Sequence, residues 1–507
     1  MNTLRRLYPY SVGVGLWLLA ACGSDNGGSV EPPPPATTLS INDGNNQTAA
    51  PGTAVARAPS VRVSDANADP VSGVAVTFAV TSGGGEITGA NQTTNPSGIA
   101  AVGSWTLGAA PGTNTLSATA GELSGSSVTF TAIAEGVAEG ALVAFTAGWL
   151  HTCGLTSAGT AYCWGRSNFG QLGNGGNAST SVPVAVDGAL TFSTLSAGGA
   201  HTCGLTPGGV AYCWGSNESG QLGNGTTEST TVPVPVRGEL IFSSLAAGGS
   251  STYARFEHTC GLTPSGQAYC WGDNEIGQLG DGTFDDRSVP VLVQGGLTFV
   301  ELSTGDFRTC GLTSDGAAYC WGWGEAGQLG NGSNVETPVP VAVSGGLQFS
   351  TLSGGSEHHC GLTSSGIAYC WGWNDFGQVG DGTEVTRYEP VPVAGGLTFS
   401  TLAVGGGYSC GLTEAGAAFC WGHNAYGQLG TGSGTYTSAP APVSGGLTFS
   451  ALHAGGWHNC GPTTGGPVYC WGYNAYGQLG DGSTNDSNVP VQMVQQGTTS
   501  TAAARAR

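Results

Sequence analysis

Seven evenly spaced pairs of cysteines constrain the fold of this chain more than any other feature. The second cysteines of successive pairs are 50 residues apart, except for one interval of 57. A period of about fifty, in a sequence of short apolar runs and glycine-rich turns, is typical of β-propeller blades or β-solenoid rungs. Each unit contains four strand-like runs, which favours a propeller blade. The cysteine pairs are Cys153 and Cys163, Cys203 and Cys213, Cys260 and Cys270, Cys310 and Cys320, Cys360 and Cys370, Cys410 and Cys420, and Cys460 and Cys470.

The segment HTCGLTSAGTAYCWG, residues 151–165, shows how one pair is arranged. A three-residue turn at 157–159, with a glycine able to take positive φ, folds the segment into a hairpin. Cys153 and Cys163 then lie opposite each other on the same face, and all seven pairs repeat this spacing. In an exported chain this predicts one disulfide within each hairpin. Free buried thiols and metal binding are the alternatives, but nine intervening residues do not match zinc-binding spacings.

The N-terminal residues carry the features of an export signal, residues 1–21, and a flexible Gly/Ser/Pro tether, residues 22–36. Arg5 and Arg6 precede the apolar run 12–21, which is too short to span a bilayer and fits a signal peptide. The run ends in LAAC, which resembles the bacterial lipobox and implies lipid attachment to Cys22. An ordinary secretory signal with an incidental cysteine is the alternative. Gly23, where an aspartate would favour inner-membrane retention, indicates the outer membrane or cell surface.

Residues 37–136 lack cysteine and consist of short Val-, Thr- and Ala-rich runs separated by turn signals. The alternation of Val74, Val76, Phe78 and Val80 predicts strands with one apolar face, and hence a β-sandwich. The segments PVSGVAVTF, SGIAAVGSWTLG and GTNTLSATA resemble bacterial Ig-like domains of the invasin and intimin type. The resemblance implies a rigid extracellular spacer without chemistry of its own.

The seven units share the pattern AGxxHxCxLTxxGxxYCWGxNxxGQLGxG, which resembles the RCC1 repeat family over residues 137–496. The resemblance implies a closed seven-bladed β-propeller, so the predicted fold is all-β, with a disordered tail at 497–507. The histidine before each first cysteine could suggest a metal ring, but Arg308 and Tyr408 interrupt it. We expect these side chains to hold blade backbone in place. The GQLGDG turn lacks the lysine of a phosphate loop, and no cofactor or metal is expected.

The two ends of the repeat region suggest how the ring closes. The region begins with LVAFTAG at 142–148, a first strand without a preceding Val-Pro-Val strand. It finishes with VPVQMV at 489–494, a last strand without a successor. These complementary ends predict that the terminal strands pair, which would remove free sheet edges.

Positions that vary where the repeats are otherwise alike are candidates for partner binding. The third unit has seven extra residues before its hairpin, around Tyr253, Arg255, Phe256 and Glu257. Such insertions often contact partners, although a tolerated change of loop length is the alternative. Units four to seven add aromatic residues after Trp-Gly and before Gly-Gln, where packing between blades is the alternative. The candidate partner-binding residues are Tyr253, Arg255, Phe256, Phe307, Trp323, Trp373, Phe376, Tyr426, Trp457, Tyr473 and Tyr476.

A third variable position lies just before the polar residue that begins each hairpin. Its side chains differ widely in size and charge, which indicates that they do not pack in a core. The residues at this position are Leu150, Ala200, Glu257, Phe307, Glu357, Gly407 and Trp457.

Charge and motifs limit the function. The formal charge is −20, with 12 arginines and no lysine, which argues against a nucleic-acid partner. Neither a G-x-S-x-G nor an HExxH motif occurs, so we expect no enzyme. The sequence predicts a monomeric, lipid-anchored, exported protein that binds a protein or surface glycan as an adhesin or interaction scaffold. The alternatives are a polysaccharide-acting enzyme and, by family resemblance only, a guanine-nucleotide exchange factor.

Overall fold

The computed structural model of the chain describes residues 35–49, 52–108, 112–121, 123, 127–134, 142–249 and 256–494. The predicted signal peptide, Cys22, most of the tether, Tyr253, Arg255 and the tail at 497–507 lie outside the described residues. Every helix or strand in the described ranges is a β-strand, so the fold class is all-β. No described helix could cross a membrane.

Residues 38–134 form a unit with its own core. Its strands are β1 (Thr38–Asp43), β2 (Gln47–Ala49), β3 (Ser60–Ser64), β4 (Ala75–Ser82), β5 (Gly85–Thr88), β6 (Asn91–Thr93), β7 (Ile99–Ala101), β8 (Ser104–Leu107), β9 (Gly112–Ala120) and β10 (Ser127–Ala134). They form sheets of order β1-β3-β7 and β2-β10-β9-β4-β6, and β5 pairs with β8. The alternation along β4 buries Val76 and Phe78 in a core that includes Trp105 and Phe130.

The described residues from 142 to 492 form seven four-stranded sheets, each in the order of its strands along the chain. The strands of the first three sheets are β11 (Leu142–Ala147), β12 (His151–Thr156), β13 (Ala161–Gly165), β14 (Thr180–Ala185), β15 (Thr194–Ala197), β16 (His201–Leu205), β17 (Ala211–Gly215), β18 (Thr230–Pro235), β19 (Ser244–Ala247), β20 (His258–Leu262), β21 (Ala268–Gly272) and β22 (Arg287–Leu292). Those of the last four are β23 (Glu301–Thr304), β24 (Arg308–Leu312), β25 (Ala318–Gly322), β26 (Thr337–Ala342), β27 (Thr351–Gly354), β28 (His358–Leu362), β29 (Ala368–Gly372), β30 (Arg387–Pro392), β31 (Thr401–Val404), β32 (Tyr408–Leu412), β33 (Ala418–Gly422), β34 (Thr437–Pro442), β35 (His453–Ala454), β36 (His458–Pro462), β37 (Val468–Gly472) and β38 (Ser487–Gln492).

The register of each sheet follows from its hairpin turn. In the first hairpin, Cys153 pairs with Cys163 and Leu155 with Ala161, which is the register predicted from the sequence. Gly159 occupies the turn with φ of 82°, a conformation that side chains disfavour. Both cysteines of every pair are buried and joined by a disulfide, with Cα atoms 4.0–4.1 Å apart.

The residues that the repeats share hold neighbouring sheets together. Trp214 of the second sheet is fully buried, and its indole Nε1 donates to the backbone oxygen of Gln171, 2.9 Å away, in the first repeat. A Cβ on Gly173 would lie 2.7 Å from the same indole nitrogen. The GQLG turn of one repeat therefore receives the tryptophan of the next repeat. The same bond joins Trp164 of the first repeat to Gln478 of the last, at 3.0 Å.

A ring of glycines lines the axis around which the sheets are arranged. A Cβ on each of these glycines would lie within 2.9 Å of the carbonyl oxygen of the next member of the ring. Neighbouring backbones approach this closely only because no side chain intervenes. The ring, here called the axial glycines, consists of Gly148, Gly198, Gly248, Gly305, Gly355, Gly405 and Gly455, and the last of them faces the first.

The contacts return from the seventh sheet to the first, but the predicted pairing of terminal strands is wrong. Strand β11 pairs with β12 in the first sheet, and β38 pairs with β37 in the seventh. Because each repeat supplies all four strands of its own sheet, neither end lacks a strand. The first and last sheets meet through side chains instead, including His458 Nε2 and Thr152 Oγ1, which are 2.8 Å apart.

Candidate binding face

Two sets of loops meet at one end of the sheets. The loop between the first and second strands and the longer loop between the third and fourth strands share this end because the strands are antiparallel. Backbone bonds tie them together: Arg166 N donates to Leu150 O, and Tyr473 N donates to Trp457 O, both at 2.9 Å. All three variable positions of the repeats therefore lie on one face, here called the loop face. The hairpin turns form the opposite face, here called the hairpin face.

Aromatic side chains of the fifth, sixth, seventh and first sheets form one connected group on the loop face. Ring centroids of Phe376 and His423 are 4.7 Å apart, and those of His423 and Trp457 are 5.1 Å apart. Tyr426 contacts Tyr473 at 4.8 Å across the boundary between the sixth and seventh sheets. We call this group the aromatic surface; its members are Trp149, Trp373, Phe376, His423, Tyr426, Trp457, Tyr473 and Tyr476.

The geometry of these aromatic positions meets one requirement of each hypothesis. Tyr426 is 39% exposed, and the other members of the aromatic surface are half-buried. The rings pack on one another across sheet boundaries, as the packing hypothesis requires. They nevertheless keep part of their surface open to solvent, as a binding surface requires.

A cavity of about 310 Å³ opens within the aromatic surface. Tyr426, Trp457, Tyr473 and Tyr476 line it together with Trp149, Leu150 and Arg166. The Arg166 guanidinium lies 5.3 Å from the centre of the Tyr476 ring and 5.9 Å from that of Phe169, in cation–π contact. The cavity thus combines aromatic walls with tyrosine hydroxyls and one cation, a mixture typical of binding pockets.

Trp149 is a part of this site that the analysis of the sequence missed. Its ring contacts Trp457 at 5.7 Å, and it also lies against Gly456 at the axis. The sequence did distinguish Trp149, since the residue after each axial glycine is small or acidic in the other six repeats. Trp149 also lines the opening that the axial glycines surround, here called the axial opening. It therefore links the cavity to the axial opening.

Three further candidate residues form a second, smaller aromatic group. Phe256 contacts Phe307 at 5.4 Å, and Phe307 contacts Trp323 at 5.6 Å. Phe256 is the last residue of the insertion of the third repeat, so this insertion ends beside the fourth sheet. Among the described residues, the aromatic positions of units four to seven therefore fall into two groups.

The family of the chain follows from its match to a known repeat fold. The family model described as the RCC1-like domain matches residues 99–411 and 254–506, which include all seven sheets. The chain belongs to the RCC1-like domain family. The predicted resemblance to the RCC1 repeat family is thereby confirmed.

Solved structures share the fold of this RCC1-like propeller. Human WBSCR16 matches with a TM-score of 0.60 and 22% identity, over 66% of this chain and 95% of that one. Prp20p from Saccharomyces cerevisiae matches with a TM-score of 0.58 and 22% identity, over 71% of this chain and 88% of that one. The complex of Kap60 with yeast RCC1 (Prp20) gives a TM-score of 0.58 at 21% identity, over 71% and 86% of the two chains.

Buried histidines connect neighbouring sheets of the RCC1-like propeller. His151 Nε2 lies 2.8 Å from Thr202 Oγ1, and the Thr202 hydroxyl donates to Gln171 O at 2.9 Å. Because the hydroxyl hydrogen is used there, the neutral imidazole donates through Nε2. Burial, with a smaller effect of nearby histidines, lowers the pKa of His151 to about 3. Burial likewise lowers the pKa to about 3 for His258, His358 and His458, which form equivalent bonds.

These histidines therefore bind a neighbouring side chain, not the backbone as the sequence suggested. The expected backbone contact is made where the histidine is replaced. Tyr408 donates to His458 O at 2.7 Å, and Arg308 donates to Ser356 O at 2.6 Å. Among the described residues, no group of three or more histidine, cysteine or acidic side chains could hold a metal ion.

Arg308 lies near two acidic residues, and one of them, Asp306, lines the axial opening. Burial lowers the pKa of Arg308 to about 10, against the opposite effect of Asp306 and Glu357. Burial raises the pKa of Asp306 to about 7, and Arg308 opposes this rise. Burial also raises the pKa of Asp273, in the third repeat, to about 8. Asp273 thus stands at the position that holds Tyr473 in the seventh repeat, and Asp306 at the position that holds Trp149 in the first.

One expectation about the variable positions needs correction. Leu150, Ala200 and Glu257 are buried, although their diversity suggested that this position lies outside the core. The loop between the third and fourth strands bonds to the backbone at this position, so each side chain there packs in the surroundings of its own repeat. Glu257, for example, lies with Oε2 3.0 Å from His201 Nδ1. At the same position Phe307, Glu357 and Trp457 remain half-buried.

Proposed function

We propose that this RCC1-like protein is an exported binding protein whose loop face holds a protein partner. The observation that carries the proposal is the aromatic surface and its cavity. The side chains at its positions differ from repeat to repeat, so the common fold does not require these particular residues. Tyrosine and tryptophan are the side chains most often found as anchors at protein interfaces. We propose binding, not catalysis, as the activity of the chain.

A protein is the favoured partner because an RCC1-like propeller suits an interaction scaffold. The similar yeast protein Prp20p has binding properties towards Gsp1p and histones, and it is bound by Kap60. A surface glycan is the second candidate. Partly exposed rings next to tyrosine hydroxyls, as at Tyr426 and Tyr473, also suit the stacking of a sugar.

The N-terminal part completes the proposal. Lipid on Cys22 would anchor the chain to the outer membrane or cell surface, and the tether at 22–36 would separate it from the lipid. Residues 37–136 would then act as an Ig-like spacer. The seven sheets would form one closed, seven-bladed ring presented at its end. The lipobox-like LAAC and the two-sheet pattern of β1 to β10 support this arrangement.

The test is a comparison of partner capture by single-residue variants. Immobilised wild-type protein should capture a partner from the host's surroundings, and Trp373→Ala or Tyr426→Ala should each reduce its affinity. An anchor of this kind contributes about 2 kcal/mol, or roughly thirtyfold in affinity. Ile367→Ala, which removes an apolar side chain 41% exposed on the hairpin face, is the matched control.

The stability of the same variants distinguishes binding from packing. Thermal melting should remain near that of the wild type in the aromatic variants. If both aromatic variants lose stability and the partner's affinity for the folded fraction is unchanged, the rings serve packing alone and the proposal is wrong.

A further inference from the structure

The loop face carries a row of acidic residues as well as the aromatic surface. At the position two residues before Gly-Gln, the second to fifth repeats have an exposed acidic side chain. The first, sixth and seventh repeats have Asn168, Ala425 and Ala475 at the same position. We call the row the acidic arc; it consists of Glu218, Glu275, Glu325 and Asp375.

The acidic arc and the aromatic surface are continuous. Asp375 lies between Trp373 and Phe376 in the same loop, and the rings of these two residues contact each other at 5.3 Å. From the fifth sheet, the aromatic surface extends through the sixth and seventh to the first sheet. The acidic arc extends in the opposite direction, through the fourth and third sheets to the second. The loop face is therefore divided into an aromatic part and an acidic part, and the acidic part also contains the smaller aromatic group of Phe256, Phe307 and Trp323.

No cation within the described chain neutralises the acidic arc. The ion pairs of the described propeller join Arg287 to Asp281 at 2.9 Å and Arg387 to Asp381, and His201 lies within hydrogen-bond distance of Glu257. None of them includes a member of the acidic arc. The whole chain has no lysine and a formal charge of −20, so it has few cations that could balance these carboxylates.

The axial opening between the two parts has a pair of buried polar side chains. The Ser356 side chain is only 8% exposed and lines the opening, and its hydroxyl is near enough to Asp306 to favour the charged form of that carboxyl. Asp306, also 8% exposed, lines the same opening in the neighbouring repeat. A donor group of a ligand could be bound there by both side chains.

We propose that the partner of the loop face is a protein segment with a bulky apolar side chain next to lysine or arginine residues. The inference rests on the proposed function and specifies the chemistry of its partner. The apolar side chain fills the cavity of the aromatic surface, where tyrosine and tryptophan provide the contact area. The basic residues lie along the acidic arc, and one of them can donate to Asp306 and Ser356 at the axial opening.

Charge complementarity selects this partner over others. An anionic segment would be repelled by the acidic arc and by the net charge of the chain. A neutral glycan would gain nothing from the acidic arc. Within the aromatic surface Arg166 is already in cation–π contact with Tyr476, so the cavity suits the apolar side chain and the acidic arc suits the basic residues.

The test uses a fluorescent synthetic peptide with one tryptophan flanked by lysines, and the full chain as its receptor. Two matched peptides replace the lysines by glutamates or the tryptophan by alanine. Binding is followed by fluorescence anisotropy at low and at physiological salt. The lysine-tryptophan peptide should bind, and both replacements should weaken binding by about tenfold or more.

Two triple variants with the same change of net charge separate specific from general attraction. The first is Glu275→Lys, Glu325→Lys and Asp375→Lys in the acidic arc. The second changes Glu239, Asp315 and Glu414, which are exposed on the hairpin face, to lysine. The acidic-arc variant should weaken peptide binding by about tenfold or more, mainly through slower association, while the hairpin-face variant stays close to wild type.

The outcomes distinguish this inference from the proposed function. Equal weakening by the two triple variants, or no binding at millimolar peptide, would overturn the inference. Loss of binding in Tyr426→Ala with no effect of the acidic-arc variant would also overturn it, and would leave the aromatic surface as a binding site for an uncharged partner. An unchanged affinity in Tyr426→Ala, with weakening by the acidic-arc variant alone, would contradict the proposed function.

Discussion

At the scale of single residues, the axial glycines decide how closely the sheets of the propeller meet. Each of them faces a backbone carbonyl of the neighbouring sheet where a Cβ would not fit. Substitution of an axial glycine therefore tests the packing at the centre of the fold.

Gly248→Ala should destabilise the protein by about 1–3 kcal/mol, the usual cost of overpacking a close contact. A Cβ there would lie 2.6 Å from the carbonyl oxygen of Gly305 and 2.9 Å from the Thr304 side chain. Gly208→Ala is the control, since its nearest neighbour would be 4.0 Å away. Chemical denaturation measures both, and equal stabilities of the two variants would show that the axis can relax.

The buried histidines make single residues sensitive to acid. The unfolded chain takes up a proton at each histidine near pH 6.5, whereas His358 in the folded chain takes one up only near pH 3. Between these values acid favours the unfolded state, so stability falls as the pH is lowered from about 6.5 towards 3.

His358→Gln should reduce this loss of stability. The amide keeps a donor for the Ser409 hydroxyl, which lies 2.8 Å from His358 Nε2, and removes the titrating group. Below about pH 5.5 the difference between variant and wild type should change by about 1.4 kcal/mol per pH unit. Denaturation curves at several pH values measure it, and parallel pH profiles for the two proteins would contradict the assigned protonation.

At the scale of elements, the hairpin is the unit that carries a disulfide. Replacing both Cys360 and Cys370 by alanine should lower the free energy of unfolding by about 2–3 kcal/mol, because the loop they close is short. Peptide mapping without reductant should find every cysteine of the propeller linked to its partner in the same hairpin. Links between different repeats, or mostly free thiols, would contradict this arrangement.

The hairpins were also the elements most accessible to sequence reasoning. Spacing alone placed Cys153 opposite Cys163, since a turn of fixed length determines the register of both strands. The pairing of the terminal strands was predicted wrongly, because local spacing does not say whether a Val-Pro-Val strand joins its own sheet or the next. The aromatic surface was found only in part. Trp149 reaches it from the axis, and this contact depends on how separate repeats pack.

At the scale of the whole molecule, the place where the chain is anchored and its net charge determine which partners can reach the loop face. If LAAC is a lipobox, Cys22→Ser should move the protein from the membrane fraction to the soluble fraction. Cell fractionation followed by immunoblotting measures this change. A Cys22→Ser protein that stays in the membrane fraction and is cleaved at the same bond would contradict the anchor.

Each repeat supplies every strand of its own sheet, and this has a consequence for the gene. Duplication or deletion of one repeat in the reading frame adds or removes a complete sheet and leaves no strand without a partner. In a ring closed by exchanged terminal strands, loss of the segment at either end would leave one sheet without a strand. Recombination can therefore reshuffle the loop face one repeat at a time, and the mixture of acidic and aromatic repeats is the kind of pattern that such exchange produces.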